Sequence, residues 1–248
     1  SHALLQPINA AKLLISTLTD MAAGSKLMPT VDRLDGSFRS IESLLHALLD
    51  ISRLESTESA LTVTEVCLDT LLRGIIEDQG PLAEQKGIRL DVVPSSAWVL
   101  SDQRYLLRSL QNLVVNAIQY TETGRVLVGC RRRGDKVVVQ VWDTGMGISH
   151  KDQKRIFDEF TRADNVPPGS GMGLGLSIVD RTCRHLGHKV HVRSKPGVGS
   201  TFSIEMQSAP DRVRAPVSPP EVRAVQDGDM DLIAMVIEND AHVLYATT

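Results

Sequence analysis

Aromatic residues make up only 4% of this 248-residue chain, and its three cysteines, Cys67, Cys130 and Cys183, are far apart in sequence with no Cys-x-x-Cys pair. An odd, scattered set of this kind excludes a disulfide framework or a structural zinc site, and it suits a reducing cytoplasm. No apolar run approaches the ~20 residues of a membrane helix, and no basic segment followed by an apolar one opens the chain, so neither a spanning helix nor a signal peptide is expected. Positive charge is not in excess either. With Lys+Arg 27 against Asp+Glu 30 the net charge is −3, which argues against direct binding of a phosphate backbone in nucleic acid. What is present is 42% hydrophobic and 23% charged residues, an ordinary globular composition whose core must be aliphatic. The length allows one large domain or two modest ones.

Leu4, Ile8, Ala11, Ile15 and Leu18 step by four and three, the seam of an amphipathic helix. Gly24, Ser25 and Pro29 interrupt it, and Val31, Leu34, Phe38, Ile41, Leu45 and Leu48 resume it to about Glu55. Two helices in an antiparallel hairpin are therefore expected over residues 1–57. Leu5, Leu14, Leu44, Leu49 and Ile51 widen both apolar stripes beyond one seam, which implies a partner hairpin and a homodimeric four-helix bundle. His46 is expected to be a partly exposed bundle residue.

Beyond residue 60 the periodicity mixes. Helices are expected over 68–86, 102–120, 151–160 and 173–186, and strands over 88–93, 98–100, 125–133, 136–142, 189–194 and 200–206, with Gly134-Asp135 at a hairpin turn. The fold class is α+β, a helical hairpin followed by an α/β sandwich over 60–207. Residues 208–229, rich in proline, read as a linker, and 230–248 as a separate partial segment.

Asn112 and Asn116 lie one turn apart on an expected helix, so both amides project from one face. An amide oxygen is a hard donor of the kind Mg²⁺ takes. Asp143-Thr-Gly145-Met-Gly147 follows a strand, so a carboxylate is held at a rigid strand end beside glycines that allow a close turn. Such an acceptor suits the exocyclic amine of adenine. Gly169-Ser-Gly171-Met-Gly173-Leu174-Gly175-Leu opens a helix, and glycine-rich backbone there presents N–H groups to phosphate oxygens. It is neither a Walker loop, since no Gly-Lys-Ser/Thr closes it, nor a dinucleotide fingerprint, since Leu176 stands at the third glycine. Residues 161–168, poor in apolar side chains, have the composition of a lid. Each motif alone also fits a bland reading, as surface asparagines, an Asp-x-Gly turn or a flexible loop.

Together and in this order the motifs resemble the ATP-binding domain of sensor histidine kinases, in the superfamily shared with type II topoisomerases, mismatch-repair ATPases and a class of heat-shock chaperone. The stretch Asn112-Leu-Val-Val-Asn116-Ala-Ile-Gln-Tyr120-Thr resembles the N box, Asp143 to Gly147 the first glycine box, Ile156-Phe-Asp-Glu-Phe160 the F box, Gly169 to Leu176 the second glycine box, and Gly197-Val-Gly-Ser-Thr201-Phe the last. The resemblance implies ATP and Mg²⁺ as cofactors. It makes Asn116 a Mg²⁺ ligand, Asn112 a catalytic residue and Asp143 the adenine acceptor. Tyr120, Gly145, Gly147, Gly169, Gly171, Gly173, Leu174, Gly175 and Thr201 join the nucleotide contacts. Gln119 stands where such N boxes carry Lys or Arg, which removes a phosphate-contacting charge.

His2-Ala-Leu-Leu-Gln6-Pro7 resembles the family's H box, and residues 49–55 the end of its second helix. The resemblance implies autophosphorylation of His2 and transfer to an aspartate of a receiver domain or response regulator. It gives Gln6, one turn on, the position that positions a hydrolytic water in phosphatase-competent members. The family's acidic residue after the histidine is replaced by Ala3, and with it goes general-base assistance typically worth ~10²- to 10⁴-fold. A nucleotide-binding scaffold or phosphatase-biased pseudokinase is the alternative this raises. Residues 232–248 resemble the first strand and acidic corner of a receiver domain, with Glu238 in the acidic position and Asn239 departing from an acidic pair, as in a hybrid kinase cut early in its receiver.

Overall fold

The structure is a computed structural model that describes residues 2–22, 24–31, 33–38, 41, 45, 61–166 and 173–209, with backbone alone for residues 2–9. It divides into two compact units, one of Ser1–Ala60 with Lys154–Ile178 and one of Leu61–Gln153 with Val179–Thr248.

In the first unit, helix α1 spans His2–Ala22, four residues longer at its C-terminal end than the apolar seam that announced it. It ends at Gly24, whose φ is 75°, and Ser25 N–H closes the turn on the Ala22 carbonyl at 2.9 Å. Helical backbone resumes over 28–31 and 33–38 and at 41 and 45, in register with the expected second helix. Residues 49–55 of that helix, residues 210–229 of the expected linker and the receiver-like segment lie outside the described residues; Ser208 and Ala209, also expected in the linker, instead pair with Val99 and Trp98, Ala209 N–H to Trp98 O at 2.9 Å. Ile15 and Ala22 are buried, whereas Leu13, Leu14, Leu18 and Met21 face water.

The second unit carries β1 (Thr64–Cys67), α2 (Leu68–Gln85), β2 (Arg89–Val92), β3 (Trp98–Ser101), α3 (Gln103–Tyr120), β4 (Arg125–Arg133), β5 (Lys136–Asp143) and the short α4 (His150–Gln153). After α5 (Gly175–His185), which begins in the first unit, β6 (Lys189–Lys195) and β7 (Gly199–Gln207) follow. Five strands form one sheet in the order β2-β4-β5-β7-β6, and β1 pairs with β3 in a separate ribbon. Only β2 and β4 run parallel; the other pairs in the sheet are antiparallel.

Strand periodicity sorts the sheet into two faces. Val126 and Val128 of β4, Val137, Val139 and Val141 of β5, and Phe202, Ile204 and Met206 of β7 point inward and are buried. Helix α2 brings Leu68, Leu71, Leu72 and Ile75, and α3 brings Leu106, Leu110, Leu113, Val114, Ala117 and Ile118. Each leucine or valine taken out of water in this layer contributes ~1.5 to 3 kcal/mol, so the core is the aliphatic one that the scarcity of aromatics required. Asp102 caps α3, accepting from Arg104 N at 3.0 Å while its other oxygen takes Thr62 N–H at 3.0 Å.

Two expectations fail. The helix expected over 151–160 stops at Gln153. The apolar spacing of Ile156, Phe157 and Phe160 imitates a helix, but the chain makes successive tight turns, Asp158 N–H to Arg155 at 2.9 Å and Thr161 N–H to Asp158 at 3.3 Å, and Phe160 takes a positive φ of 59°. Strand β1 had no expected counterpart. Its four residues alternate too briefly to register, and its partner β3 lies more than thirty residues on in the chain.

Candidate functional site

Asp143 is the last residue of β5 and points to the inner face, where it is 4% exposed. Its Oδ1 accepts two backbone N–H groups, from Gly145 at 2.8 Å and from Ser200 at 3.2 Å. Burial drives its pKa up to about 6, against the opposing pull of those bonds from Gly145 and Ser200. The carboxylate is thus fixed in direction and largely stripped of water, an acceptor that gains from a donor amine. Ser200 Oγ in turn lies 3.0 Å from Ser194 Oγ, which receives Ile148 N–H at 2.7 Å.

The loop after Asp143 is closely packed. A Cβ on Gly145 would strike the Tyr120 carbonyl and sit 2.8 Å from Asp143 Oδ1. Gly147 has φ of 68° and its missing side chain leaves room for the Lys195 carbonyl. Met146 N–H reaches Tyr120 O at 3.2 Å, and Met146 O accepts Gly197 N–H at 2.8 Å. The first and last glycine motifs are therefore bonded to the end of α3 and to each other.

Asn112 and Asn116 sit on α3, both half-buried. Among the described residues neither amide has a hydrogen-bond partner, which leaves two hard oxygens available on one face of the helix. The C-terminus of the same helix is tied by a residue that motif reading did not single out. Lys86 Nζ donates to the carbonyls of Ile118, Gln119 and Thr121 at 2.7, 2.6 and 2.9 Å. Burial lowers its pKa, with Glu122 pulling the other way. A cation on the last carbonyls of a helix satisfies acceptors that have no intrahelical donor and complements the dipole.

Thr201 does not share the site with Asp143. It pairs with Trp142 in the sheet register, on the outer face, while Ser200 is the residue that faces Asp143. A one-residue shift along a strand reverses the face, so Ser200, not Thr201, is the residue beside Asp143. The sequence signal was there: Ser200 shares the two-residue period of Phe202 and Ile204.

In the other unit, Gly173 has φ of 73° and packs against the Thr161 carbonyl, a place where any side chain would collide. Leu174 is buried, and its carbonyl takes Ile178 N–H at 3.1 Å and Ser177 Oγ at 2.9 Å, so it starts α5. Gly169 and Gly171 lie outside the described residues. His2 and Gln6 fall one turn apart in the first turns of α1, which places them on one helix face. Groups of three or more His, Cys, Asp or Glu placed to hold a metal ion are absent among the described residues. No described helix is long and apolar enough to cross a membrane.

Residues 101–210 match the family described as histidine kinase-, DNA gyrase B- and HSP90-like ATPase. The chain is 33% identical over 211 residues to the sensor-like histidine kinase SenX3 of Mycobacterium tuberculosis, covering 83% of this chain and 52% of that protein. It is 37% identical over 199 residues to the virulence sensor protein BvgS of Bordetella bronchiseptica, over 76% of this chain and 16% of the other. Among solved structures, full-length ShkA in complex with AMPPNP superposes with a TM-score of 0.66 at 29% identity, over 86% of this chain and 45% of that one. The chain spans about half the length of SenX3 and a smaller part of BvgS. A strand-end carboxylate anchored by glycine backbone, paired asparagines on the adjoining helix and these likenesses converge: residues 101–210 form a domain of the histidine kinase-, DNA gyrase B- and HSP90-like ATPase family, in a chain whose relatives are sensor histidine kinases.

Proposed function

We propose that the chain is an ATP- and Mg²⁺-dependent protein histidine kinase core that acts as a homodimer and phosphorylates His2. The observation that carries the nucleotide half of this reading is the buried Asp143, whose Oδ1 is held by Gly145 and Ser200 N–H at 2.8 and 3.2 Å. In this reading Asp143 accepts the adenine amine and Gly145 and Gly147 let the base approach. Tyr120 fixes the loop through its carbonyl, and the glycine-rich segment ending in Gly173, Leu174 and Gly175 offers N–H groups to the phosphates. Asn116 would hold Mg²⁺ through its amide oxygen, with Asn112 beside it, and the half-buried amides, without hydrogen-bond partners among the described residues, fit that use. The cation's contribution is to neutralise charge on the transferring phosphates.

A nitrogen of the neutral His2 imidazole attacks the γ-phosphorus. A P–N bond forms as the P–O bond to ADP breaks, and the imidazole proton leaves to solvent, since Ala3 supplies no base. The phosphoryl group then passes to a carboxylate oxygen of a receiver aspartate, which restores the histidine. The homodimer reading is supported by Leu13, Leu14, Leu18 and Met21, which are left on the surface of α1. The response-regulator partner follows from the kinase reading.

Incubation with γ-labelled ATP tests the proposal. Acid-labile, alkali-stable label that disappears in His2→Ala supports it; label that persists there removes His2 from its role. A second reading, a nucleotide-binding scaffold or phosphatase-biased relative, is motivated by Ala3 and Gln119 and by Gln6 on the His2 face. It is favoured if nucleotide binds, no label accumulates, and Ala3→Glu fails to raise labelling. A gain of ~10²-fold or more in Ala3→Glu instead identifies a competent site that lacked only its base.

A further inference from the structure

Three polar side chains stand in one row across the inner face of the sheet. Asp143 of β5 is directly opposite Ser200 of β7, and Ser200 is directly opposite Ser194 of β6. Side chains so placed on neighbouring strands lie ~4.5 to 5.5 Å apart at Cβ and interact. The row runs from the buried carboxylate to the strand at the sheet edge, and the nucleotide reading makes no use of its outer member.

Ser194 is the most tightly held hydroxyl of the row. Its Oγ accepts Ile148 N–H at 2.7 Å and donates to the Gly199 carbonyl at 2.8 Å. Its own carbonyl accepts Gln153 Nε2 at 2.9 Å, and the same amide donates to Ile148 O at 2.9 Å. A serine hydroxyl carries one proton and two lone pairs. A carbonyl oxygen can only accept, so the Ser194 proton is committed to Gly199 and one lone pair to Ile148. The 3.0 Å contact with Ser200 Oγ is then made with Ser200 as donor and the second lone pair of Ser194 as acceptor.

Ser200 also has a single proton, and a second acceptor competes for it. Its N–H reaches Asp143 Oδ1 at 3.2 Å, and its hydroxyl bonds the same carboxylate, which favours the ionised form. One proton cannot serve both acceptors. When it turns to Ser194, Asp143 keeps only the N–H bonds from Gly145 and Ser200. Charged side chains stay out of this balance. The sheet neighbours of Asp143 are Val126 and Ser200, Tyr120 of α3 approaches the adjoining loop through its carbonyl, and Arg193 and Lys195, which flank Ser194, project to the other face by alternation along β6.

We propose that Ser194 is a positioning residue for the Asp143 carboxylate: pinned by Ile148 and Gly199, it draws the Ser200 hydroxyl proton away from Asp143 and so keeps that carboxylate a stronger acceptor. The use of this acceptor for an adenine amine rests on the reading given above; the competition for the proton does not.

Titration of the Asp143 carboxyl in the nucleotide-free full chain tests it, by carbon NMR with aspartate labelled at Cγ and the resonance assigned by its loss in Asp143→Asn. Removing the competitor in Ser194→Ala should lower the midpoint by about half a unit to one unit, and removing the donor in Ser200→Ala should raise it by a similar amount. Ser194→Thr, which keeps a hydroxyl, should stay near the native value. The double variant Ser194→Ala with Ser200→Ala should titrate as Ser200→Ala does, because Ser194 acts through Ser200 alone. Native-like resonances of the other aspartates verify that each variant keeps the fold. An unmoved or raised midpoint in Ser194→Ala overturns the proposal, and so does a further shift when Ser194→Ala is added to Ser200→Ala. Calorimetry with ATP over the same pH range keeps the two readings distinct. ATP that fails to bind the native chain overturns the nucleotide reading, whereas the titrations alone decide the role of Ser194.

Discussion

In α1, Leu13, Leu14 and Met21 are 71%, 66% and 78% exposed, whereas in α3 Leu110, Leu113 and Val114 are fully buried. Both helices are rich in aliphatic residues at helical spacing, and they meet opposite fates. Helix α3 has a sheet to cover, so each inward side chain finds a partner within the same unit. Helix α1 has more apolar faces than its own unit covers. One part of the chain completes its core alone, and the other presents the kind of surface that a second copy completes.

The largest expected effect comes from charging the α1 surface. Leu14→Asp with Leu18→Asp removes two leucines from the proposed dimer core, ~3 to 6 kcal/mol at ~1.5 to 3 each, and sedimentation should show a monomeric variant beside a dimeric native chain. Thermal unfolding of the nucleotide domain should stay where it was, which sharpens the contrast. Leu110→Ala does the reverse. It opens a cavity in the closed core and should lower stability by ~2 to 5 kcal/mol, measured by denaturant unfolding, with a midpoint independent of protein concentration.

Asp143→Asn leaves the fold in place and removes the ionised acceptor, so adenine-nucleotide affinity should fall by ~1.5 to 3 kcal/mol, roughly tenfold to a hundredfold, by calorimetry. Lys86→Met removes the cation from three carbonyls at the end of α3. It should cost ~1 to 2 kcal/mol of stability and weaken nucleotide binding less than Asp143→Asn does. Lys86→Arg should recover part of both, because a guanidinium also donates to several carbonyls.

Two further effects are those of pH, and they carry opposite signs. The folded pKa of Asp143 is raised from 3.8 to about 6, so ionisation opposes folding above that value and the penalty is relieved as pH falls through it. In the proposed reading the adenine amine binds the ionised form, so affinity should decline as pH drops below about 6, while this group's opposition to folding fades between about 6 and 3.8. His188 is buried against Ser101 Oγ at 2.8 Å, and burial lowers its pKa from 6.5 to about 4. The unfolded chain then binds a proton that the native one refuses, so this group's stabilising share is lost as pH falls from 6.5 toward 4. His188→Gln should flatten that part of the stability profile and leave the affinity profile unchanged.

Much of the chemistry was legible from residue type and order. Asn112 and Asn116 on one helix, Asp143 at a strand end and a glycine-rich entry to a helix each follow from local rules, because helix and strand periods fix which side chains share a face. The sheet strands of the hairpin were legible for the same reason. The departures in the strands depend on partners remote in sequence, and the one after Gln153 on local turns. Strand β1 exists because β3 lies beside it, and the tight turns after Gln153 override an apolar spacing that reads as helix. Ser200 rather than Thr201 meets Asp143 because the register of β7 against β5 decides which of two adjacent hydroxyls faces inward.

The order of motifs, the aliphatic core and the presence of a surplus apolar face on the N-terminal helix were determined by the sequence itself, since composition and spacing are local quantities. The anchoring of Asp143 by Gly145 and Ser200 and the capping of α3 by Lys86 were decided only by the tertiary structure. Each joins residues separated by sheet pairing or by helix packing, and no local period specifies which distant groups will meet.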